Sequence, residues 1–453
     1  MSSIHSHELQ SVGSRQSSAT PRFADAEMEP ESSNAEIDMR SLPPTDHGKQ
    51  AYLVLAGCTL IQAPVWGYSI SFGVFQKFYT THKGTEGSPG AVATVGTTLN
   101  GLMYLMMPLT FTLLTKYPRL RPYTGPAGLF ITVASLIMSS YATQVWQLIA
   151  SQGVLCAIGS GLLFSPTTLY LDEWFIARKG MAYGTMWAGK SAAGVVMPFI
   201  MSALLDKYGP RTTLQAWAVS LVVLTAPLLF YLKPRIPLSS SHTQRPLSWS
   251  FLKRSGFWML EIGNVVQAFG YLLPTTYLAS YANDLGLPSI SGAVLIAVVA
   301  LANVPGSLFS GYLGDRLQPT TVILISSIGS TVAVLLFWGL AAQMALLVIF
   351  AAAYGFFAGG FSSTYSGILK EMKRADEGVE TGLVMGLLLG GRGVGFMAAG
   401  PVSAVLLKGG ERMIEHVKWG YDTQYGPVII CTGATALFGS WGWMWKMLKA
   451  ALA

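Results

Sequence analysis

The chain has 453 residues, of which 51% are apolar and only 11% are charged. Soluble domains carry about 25% charged residues, so this composition excludes an ordinary soluble globular protein. The formal net charge is +7, and the basic residues lie mostly in the connections between apolar runs. Because no separate basic patch is present, we do not expect a nucleic-acid partner.

Twelve apolar runs follow one another, each near the roughly 20 residues that a helix needs to cross a bilayer. We place them at residues 51–75, 89–115, 123–142, 146–170, 180–205, 212–232, 257–281, 289–313, 321–341, 344–369, 378–407 and 425–448. Gly, Pro and charged residues separate the runs. The pattern predicts an all-α membrane protein with no separate soluble domain.

Residues 1–48 differ from the rest of the chain, since they are rich in Ser, Glu, Asp and Pro and poor in aromatic residues. This composition is typical of disorder, and the apolar segment of a signal peptide is absent. We interpret residues 1–48 as a disordered cytoplasmic tail. A simple solvated tail and a segment for phosphorylation or sorting both remain open.

The distribution of Lys and Arg predicts the orientation in the membrane. With a cytoplasmic N-terminus, the inner connections hold 14 basic residues and the outer connections hold 7. Both termini are therefore predicted to be cytoplasmic. We expect the plasma membrane, with the vacuolar membrane as the alternative.

The chain repeats itself after six runs. Residues 180–190 align without a gap on residues 382–392, so that three glycines coincide and Lys190 matches Arg392. Residues 118–122 likewise match residues 315–319 in an Arg, a Leu and a Pro. We therefore divide the membrane part into halves at 49–232 and 257–453, joined by a cytoplasmic linker at 233–256. Two such halves with a binding site between them are typical of transporters.

Three segments resemble a known family. Residues 311–316, Gly-Tyr-Leu-Gly-Asp-Arg, are similar to the loop signature of the major facilitator superfamily. Residues 66–76 and 173–184 resemble its monocarboxylate-transporter branch, especially the fungal members. The resemblance covers about residues 43–450. It implies the major facilitator fold, with twelve transmembrane helices in two pseudo-symmetric six-helix halves.

The sequence also differs from the family pattern at several positions. Family members begin with a signature of an acidic residue, Gly-Gly and an aromatic residue. The corresponding segment here is Asp46-His47-Gly48, which keeps only part of that pattern. Animal members carry a helix 1 lysine where Ile70 aligns, and an acid and an arginine in helix 8 where residues 297–305 are uncharged. Those groups bind monocarboxylate and proton in the family. We expect the loop residues to form a conformational gate, namely Asp315, Arg316, Arg119 and Arg178.

Lys190 and Arg392 are the main candidates for an anion site. Each lies about ten residues from the start of its run, which is roughly 15 Å at 1.5 Å per residue and reaches the bilayer midplane. A charge at that depth is costly and usually functional. The alternative is a structural cation capped by backbone carbonyls or buried acids.

Other polar and aromatic residues at this depth complete the predicted site. The candidates for substrate binding are Asn264, Gln267, Tyr271, Trp66, Tyr68, Asn100, Tyr104, Asn303 and Trp187. Each could instead serve helix packing. Glu261 is the candidate for proton coupling, with an ion pair to Arg254 or Lys253 as the alternative.

Catalytic and cofactor motifs are missing, since we find no P-loop, HExxH or GxSxG pattern. The three cysteines form no CxxC pair, so we expect no metal, cofactor or disulfide. The sequence favours a secondary active or facilitative transporter of small organic anions of the monocarboxylate type, with protons as a candidate second partner. Efflux of a larger neutral or amphipathic fungal metabolite is the alternative. A membrane nutrient sensor is disfavoured, because the linker and the segment after the last run are short.

Overall fold

The computed structural model describes residues 42–81, 89–236, 247–288, 290–410 and 419–452. The predicted tail lies outside these residues apart from 42–48, and so do residues 237–246 of the predicted linker. Within the described ranges the secondary structure is helical, and none of those residues forms a β-strand.

In the described ranges, twelve helices follow one another in the predicted order. They are α1 (Lys49–Leu60 and Gln62–Thr81), α2 (Pro89–Leu105 and Met107–Lys116), α3 (Arg121–Ser139), α4 (Val145–Trp174), α5 and α6 (together Lys179–Leu229), α7 (Ser255–Asp284), α8 (Ile290–Arg316), α9 (Pro319–Trp338), α10 (Met344–Ala375), α11 (Thr381–Gly410) and α12 (Gly426–Phe438 and Trp441–Leu452).

Among the described residues, eight helices are long and apolar enough to cross a membrane, or nine when the bent pair in α12 counts as one span. The 51-residue segment Lys179–Leu229 contains both α5 and α6. Gly209 divides it with φ +75°, a conformation that glycine adopts without strain. Pro210 follows, and proline is favoured in the first turn of a helix. Together with α3 and α7, these spans confirm the predicted membrane fold.

Two pairs of helices join the halves, because α5 packs along α8 and α2 packs along α11. The repeated segments lie on these two contacts. A methyl group on Gly180 would overlap the backbone carbonyl oxygen of Gly311, and one on Gly386 would lie 2.9 Å from Cβ of Phe111. Small residues permit this approach of two helix backbones. The glycine repeat thus places Lys190 and Arg392 at the junction of the halves.

Candidate functional site

Lys190 lies in α5 among aromatic side chains of the first half. Its Nζ is 3.8 Å from the ring centroid of Trp66 and 5.3 Å from that of Trp187. Nζ also donates a hydrogen bond of 3.2 Å to the hydroxyl of Tyr104. The electron-rich face of an aromatic ring attracts a cation. These rings therefore compensate part of the charge of the ammonium group.

Arg392 has a matching aromatic environment in the second half, and only 2% of it is exposed. Its guanidinium carbon is 4.7 Å from the ring centroid of Tyr271, 5.1 Å from that of Phe396 and 5.7 Å from that of Phe361. Nη1 donates a hydrogen bond of 3.0 Å to Oε1 of Gln267. Arg392 is thus held by ring faces and neutral polar groups.

Tyr104 of α2 connects the two cations. Its ring centroid is 5.1 Å from that of Trp66 and 5.1 Å from that of Phe396. Tyr104 thus accepts a hydrogen bond from Lys190 and contacts Phe396, the ring that flanks Arg392. The structure therefore brings seven predicted site residues together in one cluster, which we call the central cation site: Lys190, Arg392, Trp66, Tyr104, Trp187, Gln267 and Tyr271.

The central cation site has no acidic partner in the described part of the chain. The ion pairs between described residues, such as Arg121–Glu173 and Lys370–Asp315, involve neither Lys190 nor Arg392. A structural cation deep in a protein is usually paired with an acid, because an isolated buried charge is costly. The cluster thus has the charge to hold an anion.

Glu261 lies in α7, which packs against α11, the helix that carries Arg392. It is 8% exposed, and its carboxylate lies so close to Gly391 that a methyl group there would overlap it. Gly391 immediately precedes Arg392. The alternative partner, Arg254, instead donates a hydrogen bond of 2.7 Å to the carbonyl oxygen of Ala375.

Asn264 links three helices of the second half. Its Nδ2 donates to Oε2 of Glu261 at 3.3 Å and to the carbonyl oxygen of Leu388 in α11 at 2.7 Å. Its Oδ1 accepts a hydrogen bond of 2.6 Å from the hydroxyl of Tyr365 in α10. Asn264 therefore has both polar atoms engaged within the protein and supports the acid beside Arg392.

Two predicted site residues make their contacts elsewhere. Tyr68 donates a hydrogen bond of 2.5 Å to Oε1 of Gln152 and so faces α4. Asn100 accepts a hydrogen bond of 2.5 Å from Ser69 and joins α2 to α1. These two contacts join neighbouring helices, which was the alternative to substrate binding. Asn303 accepts a hydrogen bond from Ser307 within α8, packs against Gly359 of α10 and lies beside the hydroxyl of Tyr271, at the edge of the central cation site.

Asp315 joins the halves at the face predicted to be cytoplasmic. Its carboxylate accepts hydrogen bonds from the backbone N–H groups of Gly180 at 2.7 Å and Met181 at 2.8 Å. It also pairs with Lys370 at 2.6 Å, and Lys370 donates to the carbonyl oxygen of Ala177 at 2.9 Å. A negative charge at a helix N-terminus is favourable. Asp315 thus holds the start of α5 against α8 and α10.

Two other predicted gate residues lie at the end of α8 and in the connection after α2. Arg316 lies 4.2 Å from the ring centroid of Tyr312, and Arg119 lies in the short turn Pro118–Leu120. The first half lacks an acid equivalent to Asp315. Its contact with α11 comes instead from Asp172 of α4, which accepts a hydrogen bond of 2.6 Å from Thr381. A cavity of about 1170 Å³ between the halves is lined by Asp315, Arg316 and Asp172 among other residues, and Arg119 does not line it.

Asp46 has a role that the sequence analysis did not assign. Its carboxylate accepts hydrogen bonds of 2.8–3.2 Å from the N–H groups of Ile176, Ala177 and Arg178. Burial by itself raises the pKa of Asp46, but these donors outweigh it, so the net pKa lies below its ordinary value. Asp46 therefore fixes the connection before α5. The sequence signal that could have indicated this role is the acidic residue of the family signature, which Asp46 matches.

No group of three His, Cys, Asp or Glu side chains suited to a metal ion occurs in the described ranges. The three cysteines are free thiols, two of them buried. The chemical groups of the central cation site are therefore cations, ring faces and an amide. Such groups suit the binding of an anion.

The sequence model of the Major Facilitator Superfamily matches residues 59–366. The chain belongs to this superfamily. As such it is a multi-pass membrane transporter, which confirms the resemblance at that level.

The similar proteins are fungal transporters. The MFS transporter asaE of Aspergillus flavus is 26% identical over 394 residues, covering 86% of this chain and 87% of that protein. The MFS-type transporter pynF of Aspergillus niger is 26% identical over 393 residues, with coverage of 86% and 87%. The fujikurins efflux protein of Gibberella fujikuroi is 26% identical over 329 residues, with coverage of 71% and 69%.

Proposed function

We propose that this transporter moves an amphipathic organic anion whose carboxylate binds between Lys190 and Arg392. The observation that carries the proposal is a pair of cations, one from each half, with no acid partner in the described residues. Arginine binds a carboxylate through two parallel hydrogen bonds, and lysine adds a compact second charge. An anion held by both residues contacts both halves, as alternating access requires.

The ring faces favour a cargo with an apolar or aromatic body. Trp66, Trp187 and Tyr104 surround Lys190, whereas Tyr271 and Phe396 flank Arg392. Binding sites for organic molecules generally combine apolar walls with a few polar groups that fix orientation. A lactate-sized acid leaves most of these rings without contact. We therefore place an amphipathic carboxylate ahead of a small monocarboxylate.

Export is the proposed direction, because a relative from Gibberella fujikuroi is named as an efflux protein. In this proposal the cargo enters through the cavity at the predicted cytoplasmic face and is released on the other side. Asp315 and its contacts with α5 then form the gate at that face. We place the protein in the plasma membrane with both termini in the cytoplasm, as the distribution of basic residues indicates.

Glu261 is the proposed proton carrier. It is buried, it touches the residue that precedes Arg392, and Asn264 supports its carboxylate. Buried ionisable groups in membrane helices are commonly parts of proton relays. Loss or uptake of a proton here changes the charge beside Arg392 and so affects the binding of an anion.

The proposal is tested with purified protein in liposomes. Labelled lactate, an aromatic carboxylic acid and the neutral amide of that acid are compared as cargoes. We expect the aromatic acid to be carried fastest and the amide to be carried slowly. Lys190→Met and Arg392→Met should each abolish transport of the acid at normal protein levels. Equal transport of acid and amide would favour a neutral metabolite and would overturn the anion proposal.

A further inference from the structure

The charge of each central cation is partly compensated by neutral groups of the protein itself. Lys190 lies on the face of Trp66 at 3.8 Å and donates to Tyr104. Arg392 lies on the face of Tyr271 at 4.7 Å and donates to Gln267. Because all four partners belong to this chain, these contacts do not depend on a bound cargo.

These contacts affect the step in which the carrier returns to its starting conformation without cargo. A carrier with alternating access must return after it has released its cargo. A buried cation without compensation opposes that return, since removing it from water is costly. Such a carrier returns readily only with another anion bound, and it then exchanges one anion for another. Ring faces at the cations lower this barrier.

We propose that the ring face of Trp66 serves as an internal counter-charge for Lys190 that lets the cargo-free carrier return, so that the protein performs net transport rather than obligatory exchange. The proposal rests on the anion transport proposed above and adds the mode of transport. Trp66 is thus a residue that determines this mode, beyond any contact it makes with the cargo.

The orientation of the Trp66 ring is fixed by a short chain of hydrogen bonds in α1. Nε1 of Trp66 donates to Oε1 of Gln62 at 2.9 Å, and Nε2 of Gln62 donates to the carbonyl oxygen of Cys58 at 2.9 Å. Phe164 meets the ring edge-on, with centroids 5.9 Å apart. Trp66 and Gln62 are both fully buried. Gln62 is therefore a positioning residue that holds the ring face toward Lys190.

The experiment compares two fluxes from liposomes loaded with a labelled aromatic carboxylate. Net efflux is measured into buffer without the acid, and exchange is measured into buffer that contains it. In the wild type we expect the two rates to be similar. In Trp66→Leu we expect the ratio of net efflux to exchange to fall about thirtyfold, the factor that corresponds to one desolvated cation–π contact.

Two further variants test the ring face and its orientation separately. Trp66→Phe keeps a ring face and should restore most of the ratio, whereas Gln62→Leu frees the ring and should lower the ratio. If Trp66→Leu does not fold, these two variants still decide the question. Trp217→Leu is the matched control, because Trp217 is a buried tryptophan of α6 that packs beside Gly67. It should leave the ratio unchanged.

The outcomes are distinguishable. A wild-type protein that exchanges the acid but shows almost no net efflux overturns the inference and leaves the anion transport standing. The same holds if Trp66→Leu lowers both fluxes by one factor or changes neither. Absence of both fluxes in the wild type overturns the proposed function together with this inference.

Discussion

Replacing Gly180 by alanine should open the contact between α5 and α8 at the predicted cytoplasmic face. The new methyl group would overlap the carbonyl oxygen of Gly311 and lie 2.9 Å from Oδ1 of Asp315. Both neighbours belong to α8, and a backbone carbonyl cannot rotate away. The helices must therefore separate by about 1 Å to reach normal van der Waals distance.

This separation breaks the two hydrogen bonds between Asp315 and the start of α5. Their lengths of 2.7 and 2.8 Å would grow to more than about 3.6 Å, beyond the range of a hydrogen bond. Hydrogen bonds to a charged group contribute about 1.5–3 kcal/mol each. Loss of both predicts a shift of at least a hundredfold toward the conformation that is open at this face.

Spin labels on Ile176 and Lys373, which are both exposed, report the distance between the two sides of this contact. We expect Gly180→Ala to shift the distribution to longer distances and to slow transport. Gly400→Ala is the matched control, because a methyl group at Gly400 in α11 meets no atom within 4 Å. An unchanged distance distribution in Gly180→Ala would refute this reasoning.

Three further predictions concern single buried or capping residues. Asp46→Ala should lower the free energy of unfolding by about 1–2 kcal/mol, as for the loss of a helix cap. Because the pKa of Asp46 is lowered in the folded protein, this stabilisation is present above the ordinary pKa, near 4, and disappears as the pH falls through the folded pKa. The melting curves of variant and wild type should therefore converge in acid. Glu261→Gln should abolish accumulation driven by a pH gradient while exchange of labelled cargo continues, and a variant that still accumulates cargo would show that Glu261 is structural. Asn264→Leu should lower the melting temperature, because Tyr365 and the carbonyl of Leu388 lose their partner at a cost of about 1–3 kcal/mol; an unchanged melting temperature would contradict the role of this amide in joining three helices.

The fold was predictable because a bilayer imposes strong requirements on composition. Every span needs about 20 apolar residues, so the predicted runs and the observed helices agree closely. The repeat of three glycines and a cation also predicted that Lys190 and Arg392 would lie near each other. Close helix packing at Gly180 and Gly386 gives the physical reason, since both repeats occupy contacts between the halves.

The rotation of each helix about its own axis was harder to predict. A membrane helix that is apolar on all sides has no polar face to mark its orientation. Tyr68 and Trp66 are two residues apart in α1, yet Tyr68 faces Gln152 while Trp66 contacts Lys190. The role of Asp46 was equally hidden, because its partners follow about 130 residues later in the chain.

The central claim is that Lys190 and Arg392 together bind a carboxylate. The most direct measurement is the affinity of the purified protein for an aromatic carboxylic acid and for its neutral amide, in the wild type, Lys190→Met, Arg392→Met and the double variant. One charged hydrogen bond corresponds to about ten- to a hundredfold in affinity. We predict that the wild type prefers the acid, that each single variant loses at least tenfold of this preference, and that the double variant binds acid and amide equally. A wild type that binds both ligands equally, or variants that keep the full preference for the acid, would contradict the account.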